Sequence, residues 1–92
     1  MIVRISGEGQ FDIADSEVDR LNELERAVIA AVDSCSEADY APAFGALIDH
    51  VRNAGRPVAE DELGPSDVIL PPSDTSLTEA AADFTGEGLI PD

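Results

Sequence analysis

Three groups of residues in this 92-residue sequence have side chains of the types that catalysis or ligand binding requires. Cys35 and His50 could act as a nucleophile and its base, because an imidazole can activate a thiol. The acidic run at residues 60–62, together with Asp67, could collect a hard cation such as calcium or magnesium. The segment at residues 7–9 has the glycines of a phosphate-binding loop. Each group also has an ordinary structural interpretation.

None of the three groups is accompanied by the other residues that its chemistry requires. No third residue is marked to orient His50, and a redox-active Cys35 would need nearby positive charge. The run at 60–62 does not have the spacing of an EF-hand, which favours weak, non-specific cation association. The segment at 7–9 lacks the lysine of a nucleotide loop, and Glu8 would repel phosphate, so a hairpin turn is favoured. We therefore predict no catalytic, cofactor-binding or metal-binding residues.

The charge composition argues against two classes of partner. The chain has 5 basic residues, all of them arginine, and 20 acidic residues, which give a formal net charge of −15 at pH 7. Nucleic acid and anionic lipid both need clustered positive charge, so we expect neither to be bound directly. The acidity has two explanations that can coexist: adaptation of the surface to a salt-rich cytoplasm, and attraction to a basic partner.

Length, apolar content and cysteine usage indicate the class of protein. A chain of 92 residues is enough for one small domain, and its content of large aliphatic residues is high enough to fold it. The single cysteine excludes an internal disulfide, and no stretch resembles a signal peptide or a membrane-spanning helix. We therefore expect a cytoplasmic protein that reaches a membrane only through a partner.

Alternating apolar residues predict an N-terminal β-hairpin over residues 1–14. We expect Ser6 to lie opposite Gln10, because that register also pairs the opposite charges of Arg4 and Asp12. The apolar residues of both strands then share one face of the hairpin. A slip of one residue would mix the two faces.

Capping signals predict two of the three helices. Ser16 is followed three residues later by an aspartate and begins a helix over residues 16–33. Ser76 is followed three residues later by a glutamate and begins a short helix over residues 76–84. Both segments have apolar residues at helical spacing. Residues 85–92 are predicted to be coil.

A further helix over residues 39–54 is predicted between these two, and its start has two interpretations. Ser36 could be the N-cap, but Pro42 would then lie in the second turn and remove a backbone hydrogen bond. Asp39 as the N-cap would place Pro42 where no intrahelical donor is lost. We favour the start at Asp39. The short connection to the preceding helix predicts an antiparallel helix pair.

Residues 57–75 are predicted to form an extended, proline-rich segment that contains a short third strand beside the hairpin. In the structural interpretation, the prolines simply hold Val68 and Leu70 over the core. In the functional interpretation, a rigid extended segment docks a partner at low entropic cost. The candidate partner-binding residues are Ser66, Asp67, Val68, Leu70, Pro71 and Pro72.

Together these elements predict a single α+β domain over residues 1–92. It consists of an N-terminal β-hairpin, an antiparallel helix pair, a short third strand and a short C-terminal helix. A two-stranded sheet alone is marginally stable. A homodimer in which a second copy covers the edge of the hairpin is therefore one possible arrangement.

Several pieces of the sequence resemble the PspAA family, in the same order along the chain. They are residues 1–10, the helix pair, residues 66–72, and the closing segments 77–80 and 87–91. The resemblance implies a small cytoplasmic α+β protein that works with PspA, the coiled-coil, membrane-remodelling protein of the phage-shock response to envelope stress. It carries over no catalytic residues. The strong acidity and the absence of lysine depart from the family and fit a halophilic source.

The preferred hypothesis is a non-catalytic interaction module that binds PspA and tunes its assembly or its action at the membrane. Docking would use the segment at 68–72 or the hairpin edge, with the acidic face meeting basic helices of the partner. One alternative is a carboxylate-rich, metal-dependent regulator or small enzyme. Another is a dimeric acidic scaffold in a salt-adapted cytoplasm.

Overall fold

The computed structural model describes residues 1–58 and 67–83, which form an α+β fold in the predicted order of elements. A strand pair at the N-terminus is followed by a helix pair, further strands and a short helix. The elements are β1 (Ile2–Ile5), β2 (Gly9–Asp12), a 3-10 turn (Asp15–Glu17), α1 (Val18–Asp33), α2 (Glu37–Ala54), β3 (Arg56–Val58), β4 (Val68–Leu70) and α3 (Leu77–Asp83).

The four described strands form one sheet in the order β3-β2-β1-β4. β1 pairs antiparallel with β2 and parallel with β4, and β2 pairs antiparallel with β3. The predicted third strand is therefore present as β4, and β3 adds a strand that was not predicted. Because strands of the same chain cover both sides of the hairpin, neither hairpin edge is open to a second copy or to a partner.

The register of the hairpin differs from the predicted one by two residues. Arg4 lies opposite Gln10 and not opposite Asp12. The turn begins one residue earlier than predicted, and Gly7 supplies the positive φ of 84° that it needs. Because the shift is an even number of residues, the apolar side chains keep the same face. Asp12 instead lies beside the opposite charge of Arg56 in β3, with its Oδ2 3.6 Å from Nη2 of that arginine.

The predicted start of α2 at Asp39 is wrong, and the alternative that begins after Ser36 is observed. Ser36 is the N-cap, and its hydroxyl oxygen accepts a hydrogen bond of 3.3 Å from the N–H of Asp39. Pro42 lies inside the helix and cannot donate to the carbonyl of Ala38. The side-chain cap and the two acidic residues of the first turn, Glu37 and Asp39, offset that loss.

The two predicted capping boxes have different outcomes. Ser16 does not cap a helix, because it lies inside the 3-10 turn Asp15–Glu17 and α1 begins at Val18. Ser76 and Glu79 form the predicted reciprocal pair, in which each backbone N–H donates to the other side chain at 3.2 Å. α3 therefore begins where the sequence predicts. The predicted end of this helix at residue 84 and the coil at 85–92 lie outside the described residues.

The connection from α1 to α2 contains a non-glycine residue in the left-handed region, Cys35, with a φ of 55°. The N–H of Cys35 donates to the carbonyl of Val32, and the N–H of Ser36 donates to the carbonyl of Ala31, at 3.1 and 3.0 Å. This is the Schellman arrangement, in which glycine is the usual residue at the left-handed position. It satisfies the last carbonyls of α1 and returns the chain so that α2 packs along α1.

One apolar core joins the sheet to the three helices. At the end of α2 the backbone of Gly55 lies so close to β2 that an added Cβ would be 2.8 Å from both Ile13 Cδ1 and Phe11 Cβ. The same Cβ would be 2.5 Å from the carbonyl oxygen of Val51. The core residues are Val3, Ile5, Ile13, Leu21, Val28, Ala31, Val32, Tyr40, Phe44, Leu47, Ile48, Val51, Val68, Leu70 and Ala80.

Candidate protein-binding surface at the sheet edge

The predicted partner-binding segment forms β4 and its flanks, at one edge of the sheet that the described residues form. Ser66 lies outside those residues. Asp67 is exposed, but its groups are used within the fold. Its N–H donates to the carbonyl of Ile2, and its Oδ2 accepts from the N–H of Ile2, each at 2.8 Å. Asp67 therefore anchors the beginning of β1 to the beginning of β4.

Val68 and Leu70 are buried in the core, with 3% and 0% of their surface exposed. In the folded chain a partner would not touch these side chains. Pro71 is also buried, whereas Pro72 is exposed. The inward side chains hold β4 against the core, and the carbonyl of Leu70 accepts a hydrogen bond of 3.0 Å from the N–H of Ser6. Only the exposed positions of the segment are therefore able to contact a partner.

Ile69 is the residue of this segment that the sequence analysis missed. It is 58% exposed and is the one large hydrophobic side chain that stands exposed among the described residues. Strand alternation was the signal that could have identified it. If Val68 and Leu70 point into the core, the residue between them must point out. The structure therefore places one apolar side chain in solvent at the sheet edge.

Arg4 is the neighbour of Ile69 across the β1–β4 pair, on the sheet face opposite the core, which we call the outer face. Arg4 is exposed and makes no ion pair with any residue that the structure describes. Farther along the outer face, Asp12 is balanced by Arg56 and by the N-terminal ammonium group, 3.6 and 3.8 Å away. Among the described residues, the acidic and basic groups of the outer face therefore balance, although the chain has a net charge of −15.

Most of the exposed acidic residues in the described part of the chain lie on its helices. Among the exposed acidic residues of α1 and α2, only two lie near a basic side chain of the described residues. Glu23 is 3.1 Å from Arg20, and Asp49 is 3.4 Å from Arg52. Exposed ion pairs of this kind reduce the negative electrostatic potential of the helix surfaces only a little. The exposed acidic residues of α1 and α2 are Asp19, Glu23, Asp33, Glu37, Asp39 and Asp49.

A bidentate ion pair holds the hairpin turn against the end of α2. Nε and Nη2 of Arg52 donate to the two carboxylate oxygens of Glu8, at 2.8 and 2.6 Å. The hydrogen bond from Arg52 lowers the pKa of Glu8, and a hydrogen bond with Ser73 adds to this effect. The same contact raises the pKa of Arg52. Glu8, which would repel a phosphate, therefore links the turn to α2.

Neither Cys35 nor His50 is placed in a catalytic arrangement by the described contacts. Cys35 is exposed in the turn after α1. The Nε2 atom of His50 lies 3.4 Å from Oε2 of Glu17, in the turn that precedes α1. No group of three or more histidine, cysteine or acidic residues that could hold a metal ion occurs within 1–58 and 67–83. The acidic run at 60–62 lies outside these ranges.

Within the described part of the chain, no helix is both long enough and apolar enough to cross a bilayer. α1, which is 16 residues long, and α2, which is 18, both carry charged residues on their exposed sides.

Comparison with known proteins identifies the family. The family model PspAA, described as PspA-Associated protein, matches residues 1–92. No curated protein and no solved structure matches the chain. The family match confirms the resemblance that residues 1–10, 66–72 and the closing segments indicate, and its description links the family to PspA. Because the match covers the whole chain, this protein belongs to the PspAA family of PspA-associated proteins.

Proposed function

We propose that this chain is a non-catalytic module that binds PspA and tunes its assembly or its action at the membrane. The family match over residues 1–92 carries the proposal, because the family is described by its association with PspA. The partner would be the coiled-coil protein of the phage-shock response. The acidic chain would reach an anionic membrane only through that partner, because clustered positive charge is needed for direct binding.

Three of the described carboxylates hold parts of the fold together, which argues against a catalytic role for those three groups. Asp67 accepts the N–H of Ile2, Glu8 accepts two bonds from Arg52, and Glu79 caps α3. Each of these acidic groups, which lie in three different parts of the fold, has a structural partner. A general acid or base instead needs a carboxylate that faces a substrate.

Two surfaces are available for the partner, and they predict different responses to salt. Contact through the exposed apolar side chain of Ile69 would persist at high salt, because burial of apolar surface does not depend on charge attraction. Contact between the acidic sides of α1 and α2 and basic helices of PspA would be lost, because the screening length falls to about 3 Å at 1 M salt. We propose Ile69 as the anchor, with the acidic helices contributing to the rate of association.

Size-exclusion chromatography of the purified chain with PspA from the same source, at low and at multimolar salt, tests the proposal. We expect co-elution at both salt concentrations, and Ile69→Asp should reduce it at least about tenfold in apparent affinity. Ala81→Asp adds the same charge at an exposed position of α3, outside both surfaces, and serves as the matched control. Co-elution at low salt only would assign the contact to the acidic helices. Absence of co-elution at both would contradict the proposed function.

Sedimentation and vesicle flotation test the proposed effect of the chain on PspA assembly and on its action at the membrane. We expect the chain to change the fraction of PspA that sediments as large assemblies. We also expect it to float with anionic vesicles only when PspA is present. An unchanged assembly fraction would limit the function to binding, and flotation without PspA would contradict the indirect membrane role.

A further inference from the structure

The backbone of β4 points hydrogen-bonding groups away from the sheet at Ile69. The carbonyl of Leu70 faces β1, because it accepts the N–H of Ser6 at 3.0 Å. Successive residues of a strand direct their backbone groups to opposite edges. The N–H and C=O of Ile69 therefore face away from β1, and no described strand pairs with β4 on that side. β4 is the last strand on this side of the described sheet.

Two side chains beside these groups have no obvious role within the fold. Ile69 is 58% exposed although it is large and apolar. Arg4, its direct neighbour on β1, is exposed and has no acidic partner among the described residues, in a chain with 20 acidic residues against 5 basic ones. An outward backbone donor and acceptor, an apolar side chain, and a positive charge that no described acidic residue pairs with thus lie close together.

We propose that an extended segment of PspA adds to β4 as a further strand, with an apolar side chain beside Ile69 and a carboxylate close enough to pair with Arg4. This inference rests on the proposed function and specifies the mode of binding and the chemistry of the partner segment. Strand addition of this kind takes its affinity from main-chain hydrogen bonds and its specificity from alternate side chains. Apolar and opposite-charge neighbours on one sheet face add to it.

Charge and backbone chemistry favour this occupant over two others. A second copy of the chain would bring together two molecules of net charge −15 each, which repel one another. A helix of the partner has free N–H groups only in its first turn and free carbonyl groups only in its last turn, so one helix end cannot satisfy both the N–H and the C=O of Ile69. An extended segment with a carboxylate satisfies both the backbone groups and Arg4.

The decisive experiment measures the affinity of the full chain for PspA by isothermal titration at high salt, with variants of Ile69. Ile69→Pro removes the outward N–H and leaves the bonds between β4 and β1 intact. Ile69→Lys keeps the backbone but places a charge at the edge, a device that blocks strand pairing. We expect each variant to bind at least about tenfold more weakly than the parent. Ile69→Val keeps the N–H and an apolar, branched side chain, and we expect it to bind within about twofold of the parent.

The charge part of the proposal is tested separately. Arg4→Glu should weaken binding at least about fivefold, since it places a like charge beside the partner's carboxylate. Arg56→Glu makes the same change at an exposed position on the opposite edge of the sheet and should leave the affinity unchanged. Circular dichroism of each variant establishes that the fold is retained, and Ile69→Lys decides the matter if Ile69→Pro is unfolded.

The outcomes separate this inference from the proposed function. If PspA binds the parent and the Ile69→Pro and Ile69→Lys variants equally well, strand addition is wrong and the association with PspA stands. If PspA does not bind the parent, both are wrong. If the chain alone forms a dimer that Ile69→Lys dissociates, the edge belongs to a second copy and the proposal is overturned.

Discussion

Arg52 near the end of α2 holds the carboxylate of Glu8, 44 residues earlier in the hairpin turn, through two hydrogen bonds of 2.8 and 2.6 Å. Such a fork-to-fork pair fixes the relative orientation of its two elements better than a single contact does. Glu8 would otherwise project from the tip of a glycine-containing turn. The pair therefore positions the loop between β1 and β2 relative to the helix layer.

The contribution of this pair should depend on pH in a defined direction. The pKa of Glu8 is lowered from 4.5 in the folded chain by the hydrogen bond from Arg52. The pair therefore stabilises the fold fully above pH 4.5, and its contribution is lost as the pH falls through the lower folded pKa. We expect Glu8→Gln to lower the thermal midpoint at pH 7, and we expect the difference from the parent to shrink below about pH 4.

Glu23→Gln is the matched control for the pH experiment. Glu23 pairs with Arg20 three residues earlier on the same helix, and both side chains are exposed. We expect this variant to follow the pH profile of the parent, because exposed pairs within a helix contribute little. A Glu8→Gln profile parallel to that of the parent from pH 7 to about pH 3 would contradict the assigned role of Glu8.

Asp67→Ala should destabilise the fold by about 1–2 kcal/mol, because the N–H of Ile2 loses its charged acceptor. Urea unfolding followed by circular dichroism measures the change. Asp67→Asn keeps one acceptor oxygen and should restore about half of the loss. Asp74→Ala, at an exposed position in the connection from β4 to α3, should change the free energy of unfolding by less than about 0.5 kcal/mol. Equal effects of Asp67→Ala and Asp74→Ala would show that the Ile2 contact does not stabilise the fold.

The two glycines of the α2 region should respond to alanine in opposite directions. A Cβ on Gly55 would be 2.5 Å from the carbonyl oxygen of Val51, so Gly55→Ala should cost about 1–3 kcal/mol. A Cβ on Gly45 would meet nothing within 4 Å, so Gly45→Ala should stabilise the helix by about 0.5–1 kcal/mol. Thermal and urea unfolding of the two variants check both values. Stabilisation by Gly55→Ala would contradict the close approach of α2 to β2.

Cys35→Gly should stabilise the chain, because glycine adopts the φ of 55° without the strain that a Cβ causes. We expect a gain of about 1 kcal/mol in the free energy of unfolding, partly offset by the greater freedom of the unfolded chain. Cys35→Ala is the control, since it removes the thiol but keeps the Cβ, and it should change stability little. If both variants gave the same gain, the thiol and not the backbone would be responsible.

Much of the fold could be predicted from local patterns. The alternation of the first residues predicted the hairpin, helical spacing predicted α1 and α2, and the Ser76 capping box predicted the start of α3. The hairpin register was wrong because glycines stand at both position 7 and position 9, and both have positive φ in the structure. Either position accepts the turn, so tertiary packing decides between the two registers.

The start of α2 was misjudged for a different reason. The cost of Pro42 is visible in the sequence, but the side-chain cap at Ser36 that compensates for it depends on the left-handed turn at Cys35. No local rule predicts that conformation for a cysteine. β3 was missed because three residues that include Pro57 carry almost no strand signal.

The candidate surface was only partly predictable. The segment at β4 was identified correctly as unusual, but the choice of Val68 and Leu70 over Ile69 set aside the alternation that places neighbouring residues on opposite faces. The free charge of Arg4 could not have been predicted, because it depends on the register and on the distance to each acidic residue. Both features became visible once the position of β4 beside β1 was known.

Because β1 lies in the interior of the sheet, its position affects how the chain folds during synthesis on the ribosome. β1 is translated before β4, with which it pairs, and Ile2 bonds to a residue 65 positions later. At a synthesis rate of about 5–20 residues per second, the nascent β1 waits for several seconds with one side uncovered. During that time the hairpin and the helices can assemble, but β4 cannot yet pair with β1. The nascent chain is therefore most exposed to wrong strand pairing, and to capture by chaperones, immediately before β4 emerges.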